Sequence, residues 1–251
     1  MIKGLYAAAS AMITGVYRQQ AVAHDIANLD TPGFKQILTS LTEFDNTSAY
    51  TQPGINSMTS PTYLGELGLG VMASPEKIDF SQGTLKNTDS PLDFAIDGGG
   101  FFRVKTSSGE RYTRDGRFTR DANGLLTTID GNPVLSSTGQ TIKLAEGTVS
   151  VSPNGSISVN NVAGGTIGLA FFKDLTSLTR DGSNTYASTT APATTGGGSI
   201  LQSALEQSNV DAAQLMTQMI EISRSYQAAQ KIVQNQDELL GKSIATLGKI
   251  S

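Results

Sequence analysis

The chain has 251 residues, enough for one large domain or two modest ones. Only 16% of them are charged and the net charge is −4 at pH 7, so no single-sign field is strong enough to gather nucleic acid or a lipid headgroup surface. With no cysteine there is no disulfide or thiolate metal site, and His24 is the one histidine, which leaves almost nothing from which to build a nucleophilic triad or a histidine-rich metal centre.

In chain order, residues 1–29 place Ile2, Leu5, Ala9, Met12, Val16, Ala23 and Ile26 at alternating three- and four-residue steps, with Gln19 in the one vacant slot. A 3.5-residue apolar spacing held over several heptads predicts a helix with a coiled-coil seam, here about 40 Å long at 1.5 Å per residue. His24, beside Asp25, reads as a solvated or interface residue of that helix. The stretch KGLYAAASAMIT at 3–14 has the composition of a signal peptide. Its helical spacing, however, runs on to Ile26, so any export is expected to occur without cleavage. No stretch reaches the eighteen or so apolar residues that a membrane span requires.

Asn28-Leu29-Asp30-Thr31-Pro32-Gly33-Phe34-Lys35 stops the helix, since Pro32 biases Thr31 away from helical angles and Gly33 permits a turn. Residues 30–70 read as an extended connector. It carries Ile55, Met58, Tyr63, Leu64, Leu67 and Leu69, too many apolar residues for a free linker, so it is expected to pack on something.

From 71 to 186 the period falls to two. Short runs at 101–105, 111–113, 118–120, 125–128, 149–151, 157–159 and 166–172 alternate with turn signals such as Asp115-Gly116, Asn123-Gly124 and Asn154-Gly155. This predicts an all-β domain large enough to hold its own core. Gly98-Gly99-Gly100 lacks the strand–glycine–helix context of a phosphate loop and reads as a tight turn. Asp79, Asp89, Asp93 and Asp97 could furnish a hydrolytic pair, but carboxylates scattered through turns are the ordinary case, and no catalytic residue is assigned.

Arg103, Lys105, Arg111, Arg114, Arg117 and Arg120 interleave with Tyr112 and Phe118. The overall acidity sets this series against a single-strand nucleic-acid groove. It favours the outer face of hairpins, or contact with acidic patches on neighbouring copies if the chain polymerises.

Residues 187–199 (ASTTAPATTGGGS) read as a low-complexity linker. Asn209 is placed to cap a final helix, with Asp211 in its first turn. Over 210–247, Leu215, Met219, Ile222, Tyr226, Ala229, Val233, Leu240 and Leu247 repeat the 3.5-residue spacing, interrupted at Gln236 and Ser243. That helix is roughly 55 Å long, so both terminal helices need partners along their length, most of them on other chains. The expected fold is therefore α+β. Residues 1–29 and 210–251 form a coiled-coil-like helix pair, 30–70 and 187–209 are extended connectors, and 71–186 is an inserted all-β outer domain.

Three separated segments carry a resemblance that covers nearly the whole chain. Residues 26–35, with Asn28, Leu29, Thr31, Gly33 and Phe34, look like the amino-terminal signature of bacterial flagellar rod and hook proteins. Leu92-Asp93-Phe94-Ala95-Ile96-Asp97-Gly98-Gly99-Gly100-Phe101-Phe102, followed by Tyr112, Thr113, Arg114, Asp115, Gly116, Arg117 and Phe118, resembles the β-domain signature. Leu205-Glu206-Gln207-Ser208-Asn209-Val210, with Arg224-Ser225-Tyr226, resembles the carboxy-terminal one. Length and a single β domain are similar to the basal-body rod proteins and unlike the much longer hook protein. The connector, including Gln52-Pro53-Gly54, resembles the extra segment of distal-rod members. Thr31-Pro32 and Gln227 depart from the distal pattern and keep the proximal rod as the alternative.

The resemblance implies a structural subunit, not an enzyme and without cofactor, that polymerises helically into the hollow drive shaft carrying torque from motor to hook. It implies as partners further copies of the chain, other rod and hook proteins, the type III export apparatus and the bushing rings around the rod. It also implies a location in the basal body within the cell envelope. A glycan-binding surface adhesin built on the β domain is the alternative from another class.

Overall fold

The computed structural model describes residues 2–44, 47–50, 62–182, 184–193 and 196–247, and only the backbone of Ile2, Lys3, Ala49, Leu67 and Leu247. Gln52-Pro53-Gly54, Ile55 and Met58 lie outside the described residues. Both ends are helical and the middle is β-rich, an α+β architecture. Helix α1 (Ile2–Ala27) stops just before the Thr31-Pro32-Gly33 turn, and α2 (Ala212–Leu247) holds no proline and a single glycine, Gly241.

The chain divides into two compact units, one of residues 1–26, 37–77 and 212–251, the other of residues 27–36 and 78–211. These limits differ from the sequence-based boundaries because neither connector is independent. Residues 37–77 fold with the helices, whereas 27–36 and 187–211 fold with the strands.

In the helical unit the connector is an antiparallel ladder. Leu41–Glu43 pairs with Val71–Ala73, and Thr47–Tyr50 pairs with Tyr63–Leu67. Polar side chains of α1 hold it. The Ser10 hydroxyl accepts from the Val71 amide at 3.2 Å, and Tyr17 donates to a Glu76 carboxylate oxygen at 3.1 Å. Thr14 points the same way and satisfies its hydroxyl on the Ser10 carbonyl at 2.9 Å. At the far end of α1, both carboxylate oxygens of buried Asp25 accept from the Ile37 amide. The α1 and α2 backbones draw near at Gly15, where an added Cβ would stand 3.7 Å from the Tyr226 ring.

The β unit has two cores because one strand is buried on both faces at its start. In Phe101–Thr106, Phe102 and Val104 point into a cluster with Phe94, Phe118 and Leu126. Phe101 points the other way, onto Tyr112, Leu178 and Tyr186. Successive side chains of a strand alternate faces, so two neighbouring aromatics serve two cores. The main sheet runs Leu169–Ala170, Phe101–Thr106, Gly109–Thr113, Tyr186–Ser188, Leu178–Arg180.

Of the linker expected at 187–199, the described residues 187–193 and 196–199 belong to this unit. Its first residues complete the strand Tyr186–Ser188, and Ala193 exchanges two backbone hydrogen bonds with Phe171. Two of its three glycines lie where side chains cannot, since a Cβ on Gly196 would fall 2.2 Å from the Phe171 ring and one on Gly198 2.2 Å from the Gly99 carbonyl oxygen. Composition reads such a segment as unable to bury anything; its described residues are indeed exposed or half-buried, yet their backbone lies against the β unit.

Tyr186 is fully buried in the second core, and burial pushes its hydroxyl up to about 12. A folded-state value above the ordinary 10 means the stabilisation is complete below pH 10 and is lost as pH rises towards 12. Two units correspond to about 2–3 kcal/mol. Lys35, pulled below the usual lysine range by burial, works in the opposite sense over neighbouring pH. The Tyr186→Phe variant therefore isolates the tyrosine term. Its urea midpoint is expected to fall less between pH 10 and 12 than that of the parent chain.

Candidate functional site

The three motif segments meet inside the β unit. Residues 27–36 cross it between the strand Ala204–Glu206 and the turn that follows Gly109–Thr113. Gly33 has φ +68°, and an added Cβ would fall 2.3 Å from the Arg114 carbonyl carbon. Its amide donates to the Glu206 carbonyl at 2.7 Å. Such a backbone-on-backbone crossing admits glycine alone.

Next to it sits a buried ionic cluster. Lys35 Nζ lies 2.5 Å from Glu206 Oε1 and donates also to the Ser81 carbonyl at 2.6 Å. Arg114 donates from one terminal nitrogen to Glu206 Oε2 at 3.0 Å and from the other to the Gly98 carbonyl at 2.9 Å. The Gly83 amide adds a further bond to Glu206 Oε1. All three charged side chains are 5% exposed or less. Two cations share one carboxylate, and burial dominates the downward push on Lys35, with Glu206 opposing it. Charges so far from water persist only when their hydrogen bonds are met, and this carboxylate meets three donors.

Around the cluster the remaining motif residues act as fasteners. Asn209 uses both ends of its amide: Oδ1 accepts from the Gln36 amide at 2.9 Å, and Nδ2 donates to the Asp79 carbonyl at 2.9 Å. The sequence placed Asn209 as the cap of α2; its side chain instead ties two loops together, and Asp211 is the residue just before the helix. Asn184 donates to the Pro32 carbonyl, and the Arg180 guanidinium lies 4.5 Å over the ring of buried Phe34. Thr31 closes a turn onto Asn28, donating its hydroxyl to the Asn28 amide oxygen. Leu29, Ser208 and Val210 are half-buried on the flanks.

The middle motif braces itself. Asp115 accepts from both the amide and the side chain of Arg117, and Gly116 is pressed so closely on the Phe94 carbonyl that a Cβ would fall 1.6 Å from its oxygen. Gly100, Phe101, Tyr112 and Phe118 are buried around it. The arginine series is largely neutralised within the chain: Arg103 pairs with Glu110, Arg111 with Asp181, Arg117 with Asp115 and Arg120 with Glu146. That leaves little of it to line a polyanion groove.

The seam residues fall as follows. On α2, Leu215, Ile222 and Ala229 are buried and Met219, Tyr226 and Val233 half-buried, a single stripe; Leu240 and Arg224 are exposed. On α1, Leu5, Ala9, Met12 and Ile26 are half-buried, while Val16 is 42% exposed and Ala23 is also exposed. Buried Ala8 and Val22 lie beside that stripe, and buried Ala21 shares the face of Ser10 and Tyr17 that meets the connector ladder. The side chains of Ile2 and Leu247 are outside the described residues. Sequence reasoning missed Glu206 as an ionic centre; its place within Leu-Glu-Gln-Ser-Asn-Val gave no sign that it would be buried.

His24 stands 4.0 Å from Asp25 at the surface of α1. Among the described residues no group of three or more His, Asp or Glu side chains is arranged to hold a metal ion. The geometry defines a β-rich unit in which the motif residues hold the entry and exit of the chain in fixed register. Residues 95–159 match the flagellar hook protein FlgE/F/G D1 domain, and residues 201–247 match the carboxy-terminal domain of the flagellar basal-body rod FlgEFG proteins. Over the full length of both chains the protein is 36% identical to the flagellar basal-body rod protein FlgF of Caulobacter vibrioides. It is 33% identical to the flagellar hook-basal body complex protein FlhO of Bacillus subtilis, again over both full lengths. It is 30% identical to the flagellar basal-body rod protein FlgG of the same species, over 96% of this chain and 97% of the relative. The chain belongs to the flagellar basal-body rod protein family, whose members are structural proteins.

Proposed function

We propose that the chain polymerises helically, with its terminal helices paired in coiled-coil fashion inside a hollow shaft and its β unit outside, and that the shaft transmits torque within the flagellar basal body. The observation that carries this reading is the bare apolar surface of the helices. From 237 to 246 every α2 residue is exposed, Leu239 at 51% and Ile244 at 70% among them. Length accounts for it. Measured from the approach of Gly15 to Tyr226, α2 runs on for about 30 Å, while neither arm of α1 exceeds about 20 Å. Whichever way the helices run, the end of α2 projects past α1. A helix end that offers leucine and isoleucine to water calls for other subunits, and a heterologous contact that does not close on itself makes a filament.

Within the basal body the further partners are other rod and hook proteins, the export apparatus that delivers the chain without cleavage, and the bushing rings. We place the chain in the distal rod on the strength of the connector, whose described parts form a ladder on α1. The proximal rod is the second reading, favoured by the full-length identity to the Caulobacter vibrioides FlgF. Tomography of basal bodies lacking the chain separates them: a shaft truncated far from the export apparatus supports the distal position, one truncated near it the proximal.

Assembly itself has a simpler test. On this proposal the terminal helices gain order when other subunits cover them, so far-UV circular dichroism is expected to show more helix in polymer than in dilute monomer. Equal helicity would count against the proposal. Leu239→Asp combined with Ile244→Asp is expected to abolish polymerisation while shifting the melting of the β unit by less than about 0.5 kcal/mol.

A further inference from the structure

Within the helical unit an open groove of about 240 Å³ runs between α1 and the connector ladder. Ile13 and Tyr17 line it from the helix, Phe44 and Met72 from the ladder. Its hydroxyls are already spent. Ser10 donates to the Ala7 carbonyl and accepts from the Val71 amide, Thr14 donates to the Ser10 carbonyl, and Tyr17 donates to Glu76. What the groove still offers is therefore apolar surface, with Ile13 71% exposed and Phe44 and Met72 exposed beside it. The α2 of the same copy does not cover it. Ile13 and Tyr17 each stand two residues from Gly15, and two residues turn a helix by about 200°, so both point away from the Gly15 face that meets Tyr226.

The spacing along α2 marks the occupant. Ile222 is buried and Tyr226 half-buried. Eighteen residues make about five whole turns, so Leu240 and Ile244 repeat the positions of Ile222 and Tyr226 on the same face, about 27 Å farther on. They continue the seam that packs inside one copy, and there it is exposed. Leu240 stands about 21 Å along α2 from Tyr226, too far to reach a groove at the level of Gly15 in its own chain. Met216 and Ile220, also exposed at a four-residue step, continue no contact, since Ile220 faces away from Ile222.

Size and spacing agree with this occupant. Benzene's six carbons fill a cavity of roughly 150 Å³, so the side-chain carbons of one leucine and one isoleucine, about eight, need roughly 200 Å³. A four-residue step spans about 6 Å, and α1 from Ser10 to Tyr17 spans about 10 Å. Gly241, Ser243 and Ala245 are small, which lets the incoming backbone come near. We propose that the groove receives the end of α2 from a second copy, with Leu240 and Ile244 seated between α1 and the ladder as a helix in a groove. This rests on the self-assembly proposed above.

The chain has no cysteine, so engineered thiols report without background. Full-length copies carrying Ile13→Cys are co-polymerised with copies carrying Ile244→Cys and oxidised with diamide. A covalent dimer of one copy of each kind is expected. Ile220→Cys in place of Ile244→Cys is expected to give at least about tenfold less, because a disulfide forms only where the two Cα atoms come within about 7 Å. Homodimers alone, no disulfide, or equal yields from the two positions overturn the proposal.

A second measurement does not depend on thiols. Ile13→Asp changes a residue already exposed in the single copy, and it is expected to raise the critical concentration for polymerisation at least about tenfold. An unchanged critical concentration overturns the proposal, and this measurement decides if a cysteine copy does not assemble. Polymer from the parent chain with either test failed removes the groove and leaves the assembly reading standing. No polymer from the parent chain removes both.

Discussion

Replacing Glu206 with glutamine is expected to destabilise the β unit by about 3–5 kcal/mol, the range for removing one member of a buried ionic group and stranding the others. The physical reason is asymmetric. Lys35 and Arg114 have left water already, and the carboxylate between them is what makes that tolerable. A glutamine of the same shape keeps one acceptor oxygen but offers an amide N–H₂ where a cation's donor stands. Urea denaturation followed by tyrosine fluorescence measures the loss. A triple variant, Lys35→Met, Arg114→Met and Glu206→Leu, is expected to lie closer to the parent chain than Glu206→Gln does, since apolar residues of similar volume remove the cost along with the attraction. If the single variant melts within 1 kcal/mol of the parent, the cluster is not what holds the three segments together.

Gly33→Ala is expected to cost about 2–5 kcal/mol, from two causes that add at one atom. A left-handed φ costs an L-residue about 1–2 kcal/mol, and overpacking a tight site typically adds about 1–3. Here the new methyl meets main chain, 2.3 Å from the Arg114 carbonyl carbon, so no side chain can swing away to relieve it. The 27–36 segment must lift off the β unit, taking with it the Gly33 bond to Glu206 and the seat of Lys35. Hydrogen exchange is the discriminating measurement: the amides of Gly33 and Gln36 should lose protection while Phe102 and Val104, deep in the other core, retain it. Uniform loss would show that the ionic cluster with its 27–36 segment and the core unfold as one.

The two predictions share a root. Each removes something that is neither apolar surface nor regular secondary structure, at a place where segments distant in the chain cross. On the assembly proposed above, further subunits would bury the helix faces but leave the Lys35–Arg114–Glu206 cluster untouched, because the cluster is satisfied inside a single copy. A defect there is therefore expected in monomer and polymer alike, whereas Leu239→Asp with Ile244→Asp is expected only in the polymer.

By itself the sequence determined what repeats at short range. The 3.5-residue spacing from Ile2 to Ile26 and from Leu215 to Leu247 placed both helices to within a few residues, since a helix exposes its period to any reader of the chain. Alternation and the Asn-Gly and Asp-Gly turns likewise placed most of the short strands, from Phe101–Thr106 to Ser156–Val159. Only the tertiary structure decided which motif residue meets which. Lys35 and Glu206 are 171 residues apart, and Arg114 lies 92 from Glu206. The partner of a buried charge is set by where the backbone crosses itself, which no local spacing records. For the same reason Asn209 looked like a helix cap and proved a tie between loops, and 187–199 looked like a linker while its Ala193 pairs with Phe171. In both places the decisive contact comes from a segment that the local sequence does not contain.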